Sequence, residues 1–109
     1  MIVKAWKNNL HRRTGTTYGV RLKDTGDRDR HFQRKWTWVT VELEGSDTSA
    51  DITISPAFWR DCPELRSSAI RDWLWHRGLA PWADHSPPDL VLMPLAGNAF
   101  SLRVAPAED

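Results

Sequence analysis

The stretch WTWVTVELEG, residues 36–45, decides the fold class because aromatic and β-branched residues fill it and a glycine ends it. This composition predicts a β-strand. Side chains alternate between the two faces of a strand, so the aliphatic residues point one way and the two indoles, Trp36 and Trp38, point the other. The aliphatic face carries Val39, Val41 and Leu43.

Further strand patterns lie on both sides of this stretch. Apolar or alternating runs predict strands in IVKAW (2–6), TTYGVRLK (16–23), ADITIS (50–55), DLVLMP (89–94) and AFSLRV (99–104). The last two runs are separated by a short turn and predict a C-terminal hairpin. The charged segment from Asp24 to Arg34 lacks an apolar period, which predicts a long connection.

Two helices are predicted between the fourth and fifth strands. Ser55 followed by Pro56 is typical of a helix start, and Pro63 predicts the start of a second helix that runs to Arg77 and ends at Gly78. The predicted buried stripe of the second helix contains Leu65, Ala69, Ile70, Trp73 and Leu74.

The resulting order is β-β-β-β-α-α-β-β, which predicts one small α+β domain. A curved, mainly antiparallel sheet of about six strands packs on one helical insertion, and an open barrel is the alternative architecture. The parts are a basic β-rich region (1–54), the helical insertion (55–78), a Pro-rich linker (79–88), the hairpin (89–104) and a frayed tail (105–109).

Composition excludes several classes of protein. With 109 residues and 40% hydrophobic content, the chain suits one small core. Cys62 is the only cysteine, so an intramolecular disulfide and a multi-cysteine metal site are excluded. No apolar run approaches the ~20 residues that span a bilayer, so no membrane partner is predicted and a soluble, cytoplasmic protein is expected.

Charge is divided unevenly along the chain. Residues 1–35 hold ten Lys/Arg against three carboxylates, a balance of +7, whereas residues 36–109 hold five Arg against eleven carboxylates, a balance of −6. The two parts sum to the overall +1. A basic region that runs into aromatic residues favours nucleic acid as a partner.

The first functional hypothesis is therefore a small nucleic-acid-binding module without catalytic activity. Its indoles, Trp36 and Trp38, would stack on bases from an exposed strand face. Its phosphate contacts would be Arg12, Arg13, Arg21, Lys23, Arg28, Arg30, Arg34 and Lys35. The structural alternative has both indoles buried and the Asp-Arg-Asp-Arg run, residues 27–30, compensating its own charge.

The second hypothesis is a protein-interaction or inhibitory accessory subunit. Its predicted contacts are Arg71, Trp75 and Trp82, because Trp75 falls outside the buried stripe one turn after Arg71. The opposed charges of the two parts of the chain also permit head-to-tail self-association, so a homo-oligomer stays open. The linker around Trp82 is expected to cover Trp75.

Catalysis has the least support. A metal-dependent nuclease is the third hypothesis, with His31 as base and Asp27 and Asp29 as cation ligands. The four histidines lack the spacing of a local metal site. No catalytic residue, metal ligand or cofactor is predicted.

Overall fold

The computed structural model describes residues 1–8, 17–83 and 85–106. Within them it confirms the predicted α+β class, but it contains seven strands and three helices in a different order from the predicted one. The strands and helices are β1 (Ile2–Asn8), β2 (Thr17–Leu22), α1 (Thr25–His31), β3 (Trp38–Leu43), β4 (Ser49–Thr53), α2 (Pro56–Arg60), β5 (Glu64–Arg66), α3 (Ser68–His76), β6 (Asp89–Pro94) and β7 (Ala99–Val104).

All seven strands belong to one mixed sheet with the order β4-β3-β7-β6-β1-β2-β5. β3 and β7 run parallel, and the other neighbours run antiparallel. The predicted C-terminal hairpin is confirmed as β6 and β7, and it lies in the middle of the sheet. The sheet is not closed, because β4 and β5 are edges that contact each other without forming a ladder.

The core lies on the inner face of the curved sheet. Alternate residues of the strands point into it, as the period-2 patterns predict, and they include Val3, Val20, Val39, Val41, Leu90, Leu92, Phe100 and Leu102. Helix α3 adds Ile70, Trp73 and Leu74 from the predicted stripe, while Phe32 and Phe58 enter beside α1 and α2. Burying each large apolar side chain contributes about 1.5–3 kcal/mol.

Helix α1 corrects the prediction of a long connection from Asp24 to Arg34. The Asp24 carboxylate caps the helix by accepting a hydrogen bond from the Gly26 N–H at 2.8 Å. Arg30 then pairs with Asp27 one turn earlier, at 2.8 Å. The helix has almost no apolar period because a capping carboxylate and ion pairs support it, and Arg28 is its buried residue.

Strand β5 corrects the prediction that a helix begins at Pro63. Leu65 reaches the core from a strand that pairs with β2, and α3 begins at Ser68 after the cap Ser67. The pairing requires a glycine opposite β5, because a Cβ on Gly19 would lie 2.1 Å from the Leu65 carbonyl oxygen.

The end of α3 agrees with the prediction. Gly78 has a φ of 72°, and its N–H donates to the Trp75 carbonyl while the Leu79 N–H donates to the Leu74 carbonyl. None of the described helices is both long enough and apolar enough to cross a bilayer.

Candidate nucleic-acid interface

The outer face of β1, β2 and β5, called the sheet face, carries two of the predicted phosphate contacts, and both meet carboxylates. Lys23 Nζ lies 3.8 Å from Asp89 Oδ1, which also accepts a hydrogen bond from Lys4 Nζ at 3.1 Å. Arg21 Nη1 lies 4.0 Å from Glu64 Oε1. The hydrogen bond from Lys4, helped by the charge of Lys23, lowers the pKa of Asp89. The charges of these cations are therefore compensated.

The cations of α1 are compensated within the helix. Arg30 Nη2 lies 2.8 Å from Asp27 Oδ1 and 3.7 Å from Asp24 Oδ2, and the Asp27 hydrogen bond raises the pKa of Arg30. Arg28 is buried: its Nε lies 3.3 Å from Asp29 Oδ1 and its Nη1 donates to the Phe58 carbonyl at 3.2 Å. These two arginines stabilise the fold, as the self-compensated alternative predicts.

The two indoles of the predicted stacking platform do not share a strand face. β3 begins at Trp38, so Trp36 lies before it, and the backbone N–H of Trp36 donates to the Gln33 carbonyl at 3.0 Å. The Trp36 ring packs edge-on against Phe32 and Phe100, with centroids 6.2 Å away in both cases. Trp38 is 47% exposed. Trp36 is half-buried, so neither the exposed pair nor the buried pair describes both rings.

A different aromatic residue, Trp59, holds Arg34, another of the predicted phosphate contacts. Helix α2 buries Phe58 in the core and thereby places the neighbouring Trp59 at the surface, half-buried. The guanidinium carbon of Arg34 lies 4.6 Å from the Trp59 ring centre, and that of Arg28 lies 5.6 Å from it. Arg60 follows Trp59 in α2, and Lys35 follows Arg34. We call this group the Trp59 patch: Arg28, Arg34, Lys35, Trp59 and Arg60.

The Trp59 patch differs from the sheet face in its electrostatics. Arg34, Lys35 and Arg60 are exposed, and no carboxylate of the described residues lies within ion-pair distance of them. An indole holds a guanidinium through its π face and leaves the N–H donors available. The patch can therefore bind an anion such as phosphate.

The second predicted contact set is divided between two surfaces. Trp75 is 48% exposed on α3, beside Arg71, so the predicted cover by the linker is wrong. Trp82 packs instead against the Tyr18 ring at 5.8 Å and lies beneath Lys7 Nζ at 5.0 Å. A groove of about 700 Å³ separates α3 from the loop between β3 and β4. Its polar lining includes Glu44, Asp47, Asp72, His76 and Arg77.

The other predicted residues add little to a site. Arg12 and Arg13 lie outside the described residues. The nuclease set of His31, Asp27 and Asp29 lies within α1, where both carboxylates pair with arginines. Across residues 1–8, 17–83 and 85–106, no three His, Cys, Asp or Glu side chains are grouped so that they could hold a metal ion.

No family model, curated protein or solved structure matches the chain. The candidate site therefore depends on geometry and charge alone. Of its residues, Trp59 and Arg60 are absent from the sequence prediction. They stand 25 positions after Arg34 and Lys35, and the only local signal is the aromatic and basic run FWR, residues 58–60, inside the predicted first helix.

Proposed function

We propose that this protein is a non-catalytic module that binds single-stranded nucleic acid through the Trp59 patch and Trp38. The observation that supports the proposal is the presence of three exposed cations, Arg34, Lys35 and Arg60, without carboxylate partners among the described residues. Uncompensated cations supply the electrostatic part of nucleic-acid affinity.

The aromatic residues supply the second part. Trp38 is an exposed indole three positions after Lys35, at the start of β3. A base that stacks on such a ring contributes about 1–3 kcal/mol, and single strands offer unstacked bases. Arg34, oriented by Trp59, would contact the phosphate backbone with the N–H donors that the ring leaves available.

A fluorescence titration with labelled DNA and RNA strands of about ten nucleotides, and with the matching duplexes, tests this proposal. We expect single strands to bind more tightly than duplexes. Three phosphate contacts predict a slope of about −2 when the logarithm of the association constant is plotted against the logarithm of the salt concentration.

Matched double variants locate the interface. Arg34→Ala/Lys35→Ala should lower the affinity at least about tenfold and make the slope shallower by about 1.4. Arg21→Ala/Lys23→Ala removes the same charge from the sheet face and should change both quantities little, because these cations already have carboxylate partners. Absent binding at low salt, or equal losses in the two variants, would contradict the proposal.

A second candidate is a protein-interaction function centred on α3. Trp75 supports it, because a half-exposed indole beside a groove is typical of an interface contact. The opposed charges of the chain favour a second copy as the partner. Sedimentation equilibrium should then show self-association that weakens with salt and is lost in Trp75→Ala. A monomer at all concentrations would contradict this candidate.

A further inference from the structure

The open side of the sheet forms a cleft between its two edge strands. β4 and β5 approach each other around a space of about 390 Å³. Its lining residues are Asp51, Ile52, Thr53, Ser55, Ala57, Glu64 and Arg66. The cleft shares no residue with the Trp59 patch, so a ligand bound there would be independent of the proposed nucleic-acid function.

Backbone groups of both edges face this cleft. The Ile54 N–H donates to the Thr37 carbonyl, just before β3, at 2.9 Å. In an antiparallel ladder alternate residues turn their backbone groups toward and away from the partner strand, so the backbone N–H and C=O groups of Asp51 and Thr53 point to the free edge of β4. The ladder between β2 and β5 has a backbone hydrogen bond at each end. The Leu22 N–H donates to the Pro63 carbonyl at one end, and the Ser67 N–H donates to the Tyr18 carbonyl at the other. The backbone groups of Arg66 therefore point away from β2.

Glu64 lines the cleft and carries a buried carboxylate. Its side chain is only 5% exposed, and Oε1 lies 4.0 Å from Arg21 Nη1. Oε2 is buried and has no hydrogen-bond partner among the described residues. Buried carboxylate oxygens are almost always paired, so an unpartnered one beside an open cleft points to a missing donor.

The other charges favour a cation as that donor. Asp51 is a second carboxylate in the lining, and it accepts a hydrogen bond from Thr40 Oγ1 at 2.8 Å. Trp6 on β1 and Arg66 on β5 are both paired with Gly19 of β2, one on each side of it. The guanidinium of Arg66 reaches across Gly19 and lies over the Trp6 ring, 4.9 Å from its centre. The two carboxylates, Asp51 and Glu64, outnumber Arg66, the one arginine of the lining, so the cleft is net negative.

We propose that the cleft binds a primary alkylammonium group, with Glu64 Oε2 as the principal acceptor. An ammonium is a compact charge with three donors, which suits one carboxylate oxygen together with backbone carbonyls of an open strand edge. A guanidinium favours two oxygens of the same carboxylate, but Oε1 of Glu64 already faces Arg21. The ammonium comes either from a free amine or from a lysine side chain of another protein.

NMR titration of the full ¹⁵N-labelled chain tests this site with three probes. These are n-butylammonium, N-acetyl-lysine methylamide and the uncharged analogue N-acetyl-norleucine methylamide. We expect both ammonium probes to cause saturable shifts of the Asp51, Thr53 and Arg66 amides and the norleucine probe to cause none. Comparable binding of butylammonium and the lysine derivative identifies a free-amine site, whereas binding of the lysine derivative alone identifies a protein-borne lysine.

Three variants separate the site from general charge effects. Glu64→Gln should lower the affinity for the ammonium probes at least about tenfold. Glu42→Gln removes an exposed carboxylate of β3 that does not line the cleft and should leave the affinity unchanged. Ala57→Phe fills the cleft without changing its charge and should also abolish the shifts, which keeps the test valid if Glu64→Gln loses its folded spectrum.

Three results would overturn the proposal. The first is the absence of saturable shifts in the wild-type protein at low salt, and the second is equal affinity in wild type and in folded Glu64→Gln. Equal binding of the norleucine probe would also overturn it, because the site would then recognise the aliphatic chain instead of the charge.

Discussion

Arg21 and Lys23 on the sheet face and Arg34 in the Trp59 patch are held in opposite ways. Arg66 is a sheet-face cation that resembles Arg34, because it lies over the Trp6 ring. Lys4, Lys23 and Arg21 on the sheet face lie 3.1–4.0 Å from the carboxylates of Asp89 and Glu64. In the patch, Arg34 lies on an indole ring. A carboxylate neutralises the charge it orients, whereas a ring orients the charge and leaves it unneutralised.

A count of basic residues does not locate an anion-binding surface, because the neighbours of each cation decide whether its charge is available. Arg21 and Arg34 are equivalent phosphate contacts in the sequence prediction, yet the structure gives them different neighbours. Variants that remove the ring or the carboxylates therefore test the comparison between the two regions directly.

Loss of the ring should have the largest effect. Trp59→Ala removes the surface that supports Arg28 and Arg34, and should lower the free energy of unfolding by about 2 kcal/mol in urea denaturation. Nucleic-acid affinity should fall at least about tenfold, since Arg34 loses its orientation. Trp6→Ala is the control, because Trp6 supports Arg66 on the sheet face. An equal loss of affinity in the control would remove the distinction between the two regions.

Glu64 of the sheet face should also control the reactivity of Cys62. The charge of Glu64, followed by burial and the charge of Asp61, raises the pKa of the Cys62 thiol above its ordinary value of 9.0. Glu64→Gln should therefore increase the thiolate fraction and speed alkylation by iodoacetamide several-fold at a pH of about 8. Glu42→Gln should not change the rate.

The raised pKa of Cys62 also determines how the stability of the folded protein changes with pH. The unfolded thiol ionises near 9.0 and the folded thiol above that value, so this group destabilises the folded protein as the pH rises through that interval. A wild-type alkylation profile with its midpoint at or below 9.0 would contradict the expected influence of Glu64.

Removing a carboxylate from the sheet face should create affinity there. Asp89→Ala leaves Lys4 and Lys23 without their shared partner, so nucleic-acid affinity should rise about threefold at low salt. Glu42→Ala changes the net charge equally at a carboxylate without an ion pair among the described residues. If both variants gain the same nucleic-acid affinity, the change in net charge explains the effect and the loss of the local ion pair does not.

The smallest expected effect is the pH dependence of the same pair. Lys4 and Lys23 lower the pKa of Asp89, so its contribution to stability is present above the ordinary value of 3.8 and is lost as the pH falls through the lowered pKa. The difference in Tm between wild type and Asp89→Asn should therefore disappear on acidification. A difference that persists in strong acid would show that the ion pair is not its source.

The strands were predictable because their signals are local. Alternation identified β2, β3, β4 and β7, and the core face of each follows from it, while β6 was identified as an apolar run beside a turn. Helix α1 was missed because a cap and ion pairs support it where an apolar stripe usually does. β5 was mistaken for helix because Leu65 fits the spacing of the α3 stripe, and because Pro63 is typical of a helix start.

The candidate site was less predictable because its geometry depends on contacts between distant segments. Arg34 and Trp59 meet only after α1 and α2 have come together. Phe32 at the end of α1 and Phe58 in α2 make that contact, with ring centres 5.0 Å apart. Compensation of Arg21 by Glu64 requires the β2–β5 pairing. Neither contact has a signature in residue spacing.

The central position of the β6–β7 hairpin has a consequence for the order of folding. β3–β4 and β1–β2–β5 are formed by earlier parts of the chain, and only residues 89–104 join them into one sheet. During synthesis these two groups of strands cannot form one continuous sheet until the hairpin has been made. We therefore expect folding to be slow for a chain of this size, in the millisecond-to-second range of domains dominated by non-local pairing, and to be completed in one cooperative step.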